Sequence, residues 1–165
     1  MKNLFKILFL FLSLTLIQCS SDDDSSVSAL TMNGTDFKLG SGNSNYIKTD
    51  ANNRISFAIR ENVANNPRVI AVYAMHAPGS RSGTYQLSNN TVENGYAVIA
   101  ILNEDETTQL AGGSMIAPPT GTIKIENHGN NHMAVTFNDV VLDGGTATET
   151  TISGTCSKGF VVADN

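Results

Sequence analysis

The chain has 165 residues, of which 41% are hydrophobic and 15% charged, with 4 Pro; such a composition can bury a core and excludes a disordered polar chain. Its length suits one domain plus a short targeting segment. The formal net charge is -5, and Arg54, Arg60, Arg68, Arg81, Lys124 and Lys158 are scattered among Asp and Glu, so no basic stripe is available to neutralise phosphates and nucleic acid is excluded as a partner.

Lys2 and Lys6 precede or interrupt an apolar run, Leu4-Phe5 and Ile7-Leu8-Phe9-Leu10-Phe11-Leu12, that continues through Leu14 and Leu16-Ile17. A positive start and a short apolar centre read as an export signal over residues 1–18, because a bilayer-spanning helix needs about 20 apolar residues. Ser20-Ser21-Asp22-Asp23-Asp24-Ser25-Ser26 then offers nothing to bury, and residues 19–27 read as a flexible tether.

Leu16-Ile17-Gln18-Cys19 resembles a lipobox, although Gln18 stands where that motif prefers a small residue. The resemblance implies that the Cys19 thiol is acylated after cleavage and holds the protein on a membrane. The run Asp22, Asp23 and Asp24 resembles the acidic export tag of surface lipoproteins of Bacteroidota-type bacteria, which implies an outer-membrane, cell-surface location. A plain solvated spacer is the other reading of that run.

Residues 28–165 read as a single β domain. Ala29-Leu30-Thr31-Met32 and Thr35-Asp36-Phe37-Lys38 flank Asn33-Gly34, the favoured pair for a type I′ turn, so the domain opens with a hairpin. Ile55, Phe57 and Ile59 share one parity and predict a half-buried strand. Val69–Met75 and Tyr96–Leu102 are apolar at both parities and predict central strands covered on both sides. Gly121–Glu126 and Met133–Phe137 read as hairpin arms joined across His128–His132, and the parity shift from Phe137 to Val140 predicts a bulge near Asn138-Asp139. A final strand is expected from Thr148 through Cys156 toward Phe160.

No window of the mature region shows sustained helical spacing with caps. The fold class expected is all-β, an antiparallel β-sandwich, with a partly open β-barrel as the alternative. With the Gly83-Thr84-Tyr85 and Ile152-Ser153-Gly154-Thr155 segments added to the lipobox and tag, the chain looks like the small surface lipoproteins of Bacteroidota-type bacteria, a family that carries over no catalytic residues.

With Cys19 assigned to lipid, Cys156 has no intrachain partner, and its shared parity with Ile152 and Phe160 points it into the core as a small hydrophobe. His128 and His132 flank a short turn with Glu126 nearby, but zinc sites recruit three or four ligands, so both read as surface residues. Glu104-Asp105-Glu106 reads as a solvated acidic turn in preference to a calcium loop. No nucleophile elbow, phosphate-binding glycine motif or His-Glu-x-x-His helix occurs, so no catalytic residue, metal or cofactor is expected. Tyr73, Tyr85 and Tyr96 sit in or beside apolar strands and are expected to pack. Tyr46, in a polar neighbourhood, is the first tyrosine to consider for a surface contact, beside His128 and His132.

The function expected is a lipid-anchored, non-catalytic envelope module that binds a protein or glycan or contributes to a surface assembly. The alternative is a hydrolase acting on extracellular polymers. A cleft of perturbed carboxylates favours the enzyme, and a surface with exposed aromatic residues favours binding.

Overall fold

The structure, a computed structural model, describes residues 28–39, 45–49, 53–77, 82–89, 93–112, 118–129, 132–143, 149–157 and 160–164. Every element among them is a strand. In chain order these are β1 (Ala29–Met32), β2 (Thr35–Asp36), β3 (Asn45–Thr49), β4 (Arg54–Arg60), β5 (Val69–Met75), β6 (Gly83–Leu87), β7 (Tyr96–Leu102), β8 (Gln109–Gly112), β9 (Thr120–Gly129), β10 (His132–Asp143), β11 (Glu149–Cys156) and β12 (Phe160–Asp164).

The strands join in one continuous sheet of order β12-β3-β4-β5-β7-β6-β9-β10-β11-β1-β2, with β8 pairing β7 and, at one position, β10. Strands β4 and β5 share no hydrogen bonds with β10 and β11, yet Phe57, Val72, Phe137, Leu142 and Ile152 belong to one buried cluster. The sheet therefore folds over a common core, in a sandwich-like, open arrangement and not a clean barrel. Two pairings depart from the antiparallel expectation. β12 runs parallel to β3, and the start of β7 runs parallel to the end of β6.

The opening hairpin forms as the Asn33-Gly34 pair demands. Both residues have positive φ, 52° and 70°, and Met32 pairs with Thr35 across the turn. The expected bulge also forms. Register slips between Phe137 and Val140 against β11, and between Asn138 and Val141 against β9, while Asp139 sits at φ 48°. Gly121 makes this bulge possible from the facing strand: its φ is +95°, and a Cβ there would meet the carbonyl oxygens of Asp139 at 2.5 Å and Asn138 at 2.6 Å. A side chain fits neither the space nor the backbone conformation.

Three expectations change. The strands of the β9–β10 hairpin run to Gly129 and His132, leaving only residues 130–131 between them, because backbone pairing continues past the last alternating apolar residue. The final strand is two strands: β11 ends at Cys156, and β12 begins at Phe160 on β3, far along the strand order. Strands β5 and β7 are both central, but neither is fully covered on its second side: Tyr73 of β5 is exposed, and Tyr96, Val98, Ala100 and Leu102 of β7 keep partial exposure while Ala97, Ile99 and Ile101 are buried.

At one end of the core Arg68 makes a two-pronged ion pair with Glu61, Nε to Oε2 at 2.8 Å and Nη2 to Oε1 at 2.6 Å. The same guanidinium lies 5.6 Å from the Phe37 ring centroid, and its Nη1 approaches Met32 Sδ at 3.0 Å. Leu39 bridges to Glu61, and the Asn62 N–H donates to the Lys38 carbonyl. The charge-assisted pair closes the connection between β4 and β5, and the Leu39–Glu61 bridge, the Asn62–Lys38 hydrogen bond and the Arg68–Phe37 contact fasten the chain leaving β2 onto it.

Candidate functional site

Because successive side chains alternate sides, the antiparallel register of β4, β5 and β7 sets out the outward face. Ser56, Tyr73 and Val98 lie opposite one another across the three strands, and Ala58, Ala71 and Ala100 form the next such row. Ala100 then faces Gly112 of β8. Ala58 and Ala71 are buried, so small residues line the middle of this face with Tyr73 standing beside them.

Among the described residues, the exposed large hydrophobic side chains are Tyr73 (50%), Leu110 (48%), Tyr96 (39%) and Val63. The first three belong to β5, β8 and β7. Tyr73 pairs with Val98, and Tyr96 lies two residues before Val98 on the same parity of β7, so Tyr73 and Tyr96 share one side of the sheet as diagonal neighbours. Arg54 of β4 pairs with Met75 and is exposed. The face thus presents two aromatic rings with hydroxyl tips, a thioether and a guanidinium around an aliphatic strip.

The opposite end of the strip is covered. Asn103 organises the β7–β8 turn, its Oδ1 accepting the Thr107 and Thr108 N–H groups at 2.9 and 3.0 Å, and Glu106, at φ 58°, is ion-paired with Arg60. The acidic run Glu104-Asp105-Glu106 is therefore an ordered turn that ties back onto β4. No group of three or more His, Cys, Asp or Glu suited to a metal ion occurs among the described residues.

The expectation that Tyr73 and Tyr96 pack inside is overturned; both point away from the core, because Val72, Ala74, Ala97 and Ile99 occupy the inward parity. Tyr85 does pack, and burial pushes its hydroxyl above the ordinary pKa. Cys156 is fully buried in the core cluster. His128 is exposed near the end of β9. His132 begins β10 opposite Gly129, and Tyr46 lies on β3 opposite Ala58; the side chains of these two lie outside the description. Cys19, Asp22, Asp23 and Asp24 lie outside the described residues.

His76 was not singled out by sequence. It follows β5 with the inward parity of Ala74 and is 5% exposed. Its Nδ1–H donates to the Ala77 carbonyl at 2.8 Å, and its Nε2 has no partner among the described residues. The available signal was its place one residue past an apolar central strand, where the inward parity persists. For the tyrosines the signal was parity too, since Tyr73 shares its side of β5 with Met75 and not with Ile70 and Val72. No family model matches the chain, and no curated protein or solved structure matches it either.

Proposed function

We propose that the protein is a non-catalytic, lipid-anchored module of the cell envelope that engages its ligand through the outward face of β5 and β7. The observation that carries the reading is the exposure of Tyr73 and Tyr96 together on the outward side of β5 and β7. Grouped apolar exposure of this kind marks interaction surfaces, whereas single exposed hydrophobics need no explanation. Tyrosine supplies a large, stiff apolar area with a polar tip, and Tyr, Met and Arg are the side chains enriched where proteins meet partners. The anchor rests on the export signal, on Leu16-Ile17-Gln18-Cys19 and on the acidic run that follows.

Two measurements test the halves of this reading separately. Protease treatment of intact cells, with mass spectrometry of the N-terminus, should find the wild type lipid-modified and shaved, and a Cys19→Ala variant neither; an unmodified or protected wild type overturns the anchor. For the face, purified protein is screened against a panel of envelope polysaccharides and isolated outer-membrane proteins. A Tyr73→Ala/Tyr96→Ala variant should lose tenfold or more in affinity for whatever binds, as truncation of aromatic anchors costs about 2 kcal/mol or more. Undiminished binding by that variant moves the site elsewhere.

A further inference from the structure

The chain contains two Asn-Gly pairs, Asn33-Gly34 and Asn94-Gly95. In this dipeptide the asparagine side-chain amide is open to attack by the main-chain nitrogen that follows it, because glycine has no Cβ to block the approach and tolerates the backbone rotation required. Both asparagines are exposed, and both glycines have positive φ, +70° for Gly34 and +89° for Gly95. No atom lies within 4 Å of where a Cβ would stand on either glycine. In sequence and in access to solvent the two pairs are equals.

Their hydrogen bonds differ. Gly95 is held through both main-chain groups: its N–H donates to the Met75 carbonyl at 2.9 Å, and its carbonyl accepts the Gln86 N–H at 2.9 Å. The nitrogen that would attack Asn94 is thus fixed against β5. The Gly34 N–H, in contrast, has no hydrogen-bond partner among the described residues, and β2 pairs with β1 at only two positions. A turn ended by so short a strand opens locally at little cost. Here the asparagine is the part that is held. Its N–H donates to the Thr151 carbonyl at 2.9 Å, and its Oδ1 accepts the Thr151 N–H at 2.7 Å with the Thr151 hydroxyl 3.5 Å away.

We infer that Asn33-Gly34 is a self-modification site, at which the amide is converted to an acid without an enzyme, and that the fold protects Asn94-Gly95 from the same reaction. This inference is independent of the tyrosine face. The Gly34 nitrogen gives its proton to water and bonds to Asn33 Cγ, so that negative charge gathers on Oδ1. The Thr151 N–H already donates to that oxygen, and a donor so placed stabilises the charge as it develops. Collapse breaks the Cγ–Nδ2 bond; the departing nitrogen takes a proton from water and leaves as ammonia, closing a cyclic imide. Water then opens the imide at either carbonyl, leaving aspartate or isoaspartate at position 33. The sum is one water consumed and one ammonia released, with no change of oxidation state. The aspartate product keeps an acceptor for the Thr151 N–H, now charge-assisted. The isoaspartate product lengthens the main chain inside a turn whose length sets the hairpin register, so the pairing of Met32 with Thr35 is lost.

The test uses the full chain without substitution. Purified protein is incubated near neutral pH, folded in one arm and unfolded in urea in the other. Peptide mass spectrometry follows the amide-to-acid mass gain at each asparagine, and an isoaspartyl methyltransferase marks the isoaspartate fraction. In the folded arm position 33 should convert about tenfold or more faster than position 94, since ladder hydrogen bonds must open before Gly95 can attack. In urea the two rates should converge. No conversion at position 33, or conversion no faster than at position 94 in the folded protein, overturns the inference. An advantage for position 33 that persists undiminished in urea overturns it as well, by placing the cause in the neighbouring sequence and not in the fold.

Discussion

The two sides of β5 and β7 are made of similar residues and have opposite fates. Inward, Ile70, Val72 and Ala74 meet Ile101, Ile99 and Ala97 across the register and lose essentially all contact with water. Outward, Tyr73 and Tyr96 keep a third to a half of their surface in solvent. The hydrophobic effect is non-directional and proportional to the area removed from water, so it accounts for the inner side and leaves the outer side without an energetic reason in the single chain. The difference teaches that an apolar strand face says something is to be covered, and that only the packing shows which side the chain covers by itself.

The comparison breaks or sharpens at measurable points. The largest effect belongs to the inner side: Ile99→Ala should lower unfolding stability by about 2–5 kcal/mol, read as a shift in the urea midpoint with unchanged slope. Next comes the ion pair that closes the end of the core. Arg68→Met strands a Glu61 carboxylate whose side chain is 7% exposed and should cost about 1.5–3 kcal/mol, the scale of a hydrogen bond to a charged group.

That pair also carries a pH signature. The hydrogen bond from the Arg68 side chain holds the Glu61 carboxyl below its ordinary value of 4.5. A carboxylate depressed in the folded state contributes its full stabilisation above that ordinary value, and the contribution is lost as pH falls through it toward the folded-state value. Urea titrations of the wild type should therefore show stability falling on acidification below 4.5, with a shallower fall in Arg68→Met. Parallel curves for the two proteins would remove Glu61 from the acid response.

The outer side should respond least. Tyr96→Ala is expected to cost about 1 kcal/mol or less, the worth of a cross-strand contact on an open face. A loss as large as that of Ile99→Ala would show that the outer side is covered in solution, and the contrast between the two sides would collapse. Smallest of all, Lys124→Ala should leave the midpoint unmoved at physiological salt, because the Lys124–Glu126 pair at 2.7 Å is exposed on both sides and screened.

Local features were the legible ones. Asn33-Gly34 announced its turn because both residues tolerate positive φ, and the parity break after Phe137 announced the bulge because a two-residue period admits one inserted residue only by slipping register. The inward set of β4 was equally plain, since Ile55, Phe57 and Ile59 alternate with more polar neighbours. Tyr73 and Tyr96 were misread because apolarity at both parities is the pattern of a doubly covered strand, and in β5 and β7 alike the second cover is incomplete. His76 went unread because a lone imidazole beside Ala77 and Pro78 has no spacing partner; it is buried where the inward parity of Ala74 carries on past the end of β5.

What the sequence by itself determined is what short-range chemistry decides: strand periodicity, turn positions, the bulge, the core-facing cysteine and the all-β class. The tertiary structure alone decided which strands became neighbours. The parallel joining of β12 to β3, the parallel start of β7 on β6, the Arg68 clamp between β2 and β4, and the exposure of one side of β5 and β7 all depend on segments distant in the chain meeting in space. Such meetings leave no local trace, because a strand's side-chain alternation is the same whichever strand lies beside it and whichever side water reaches.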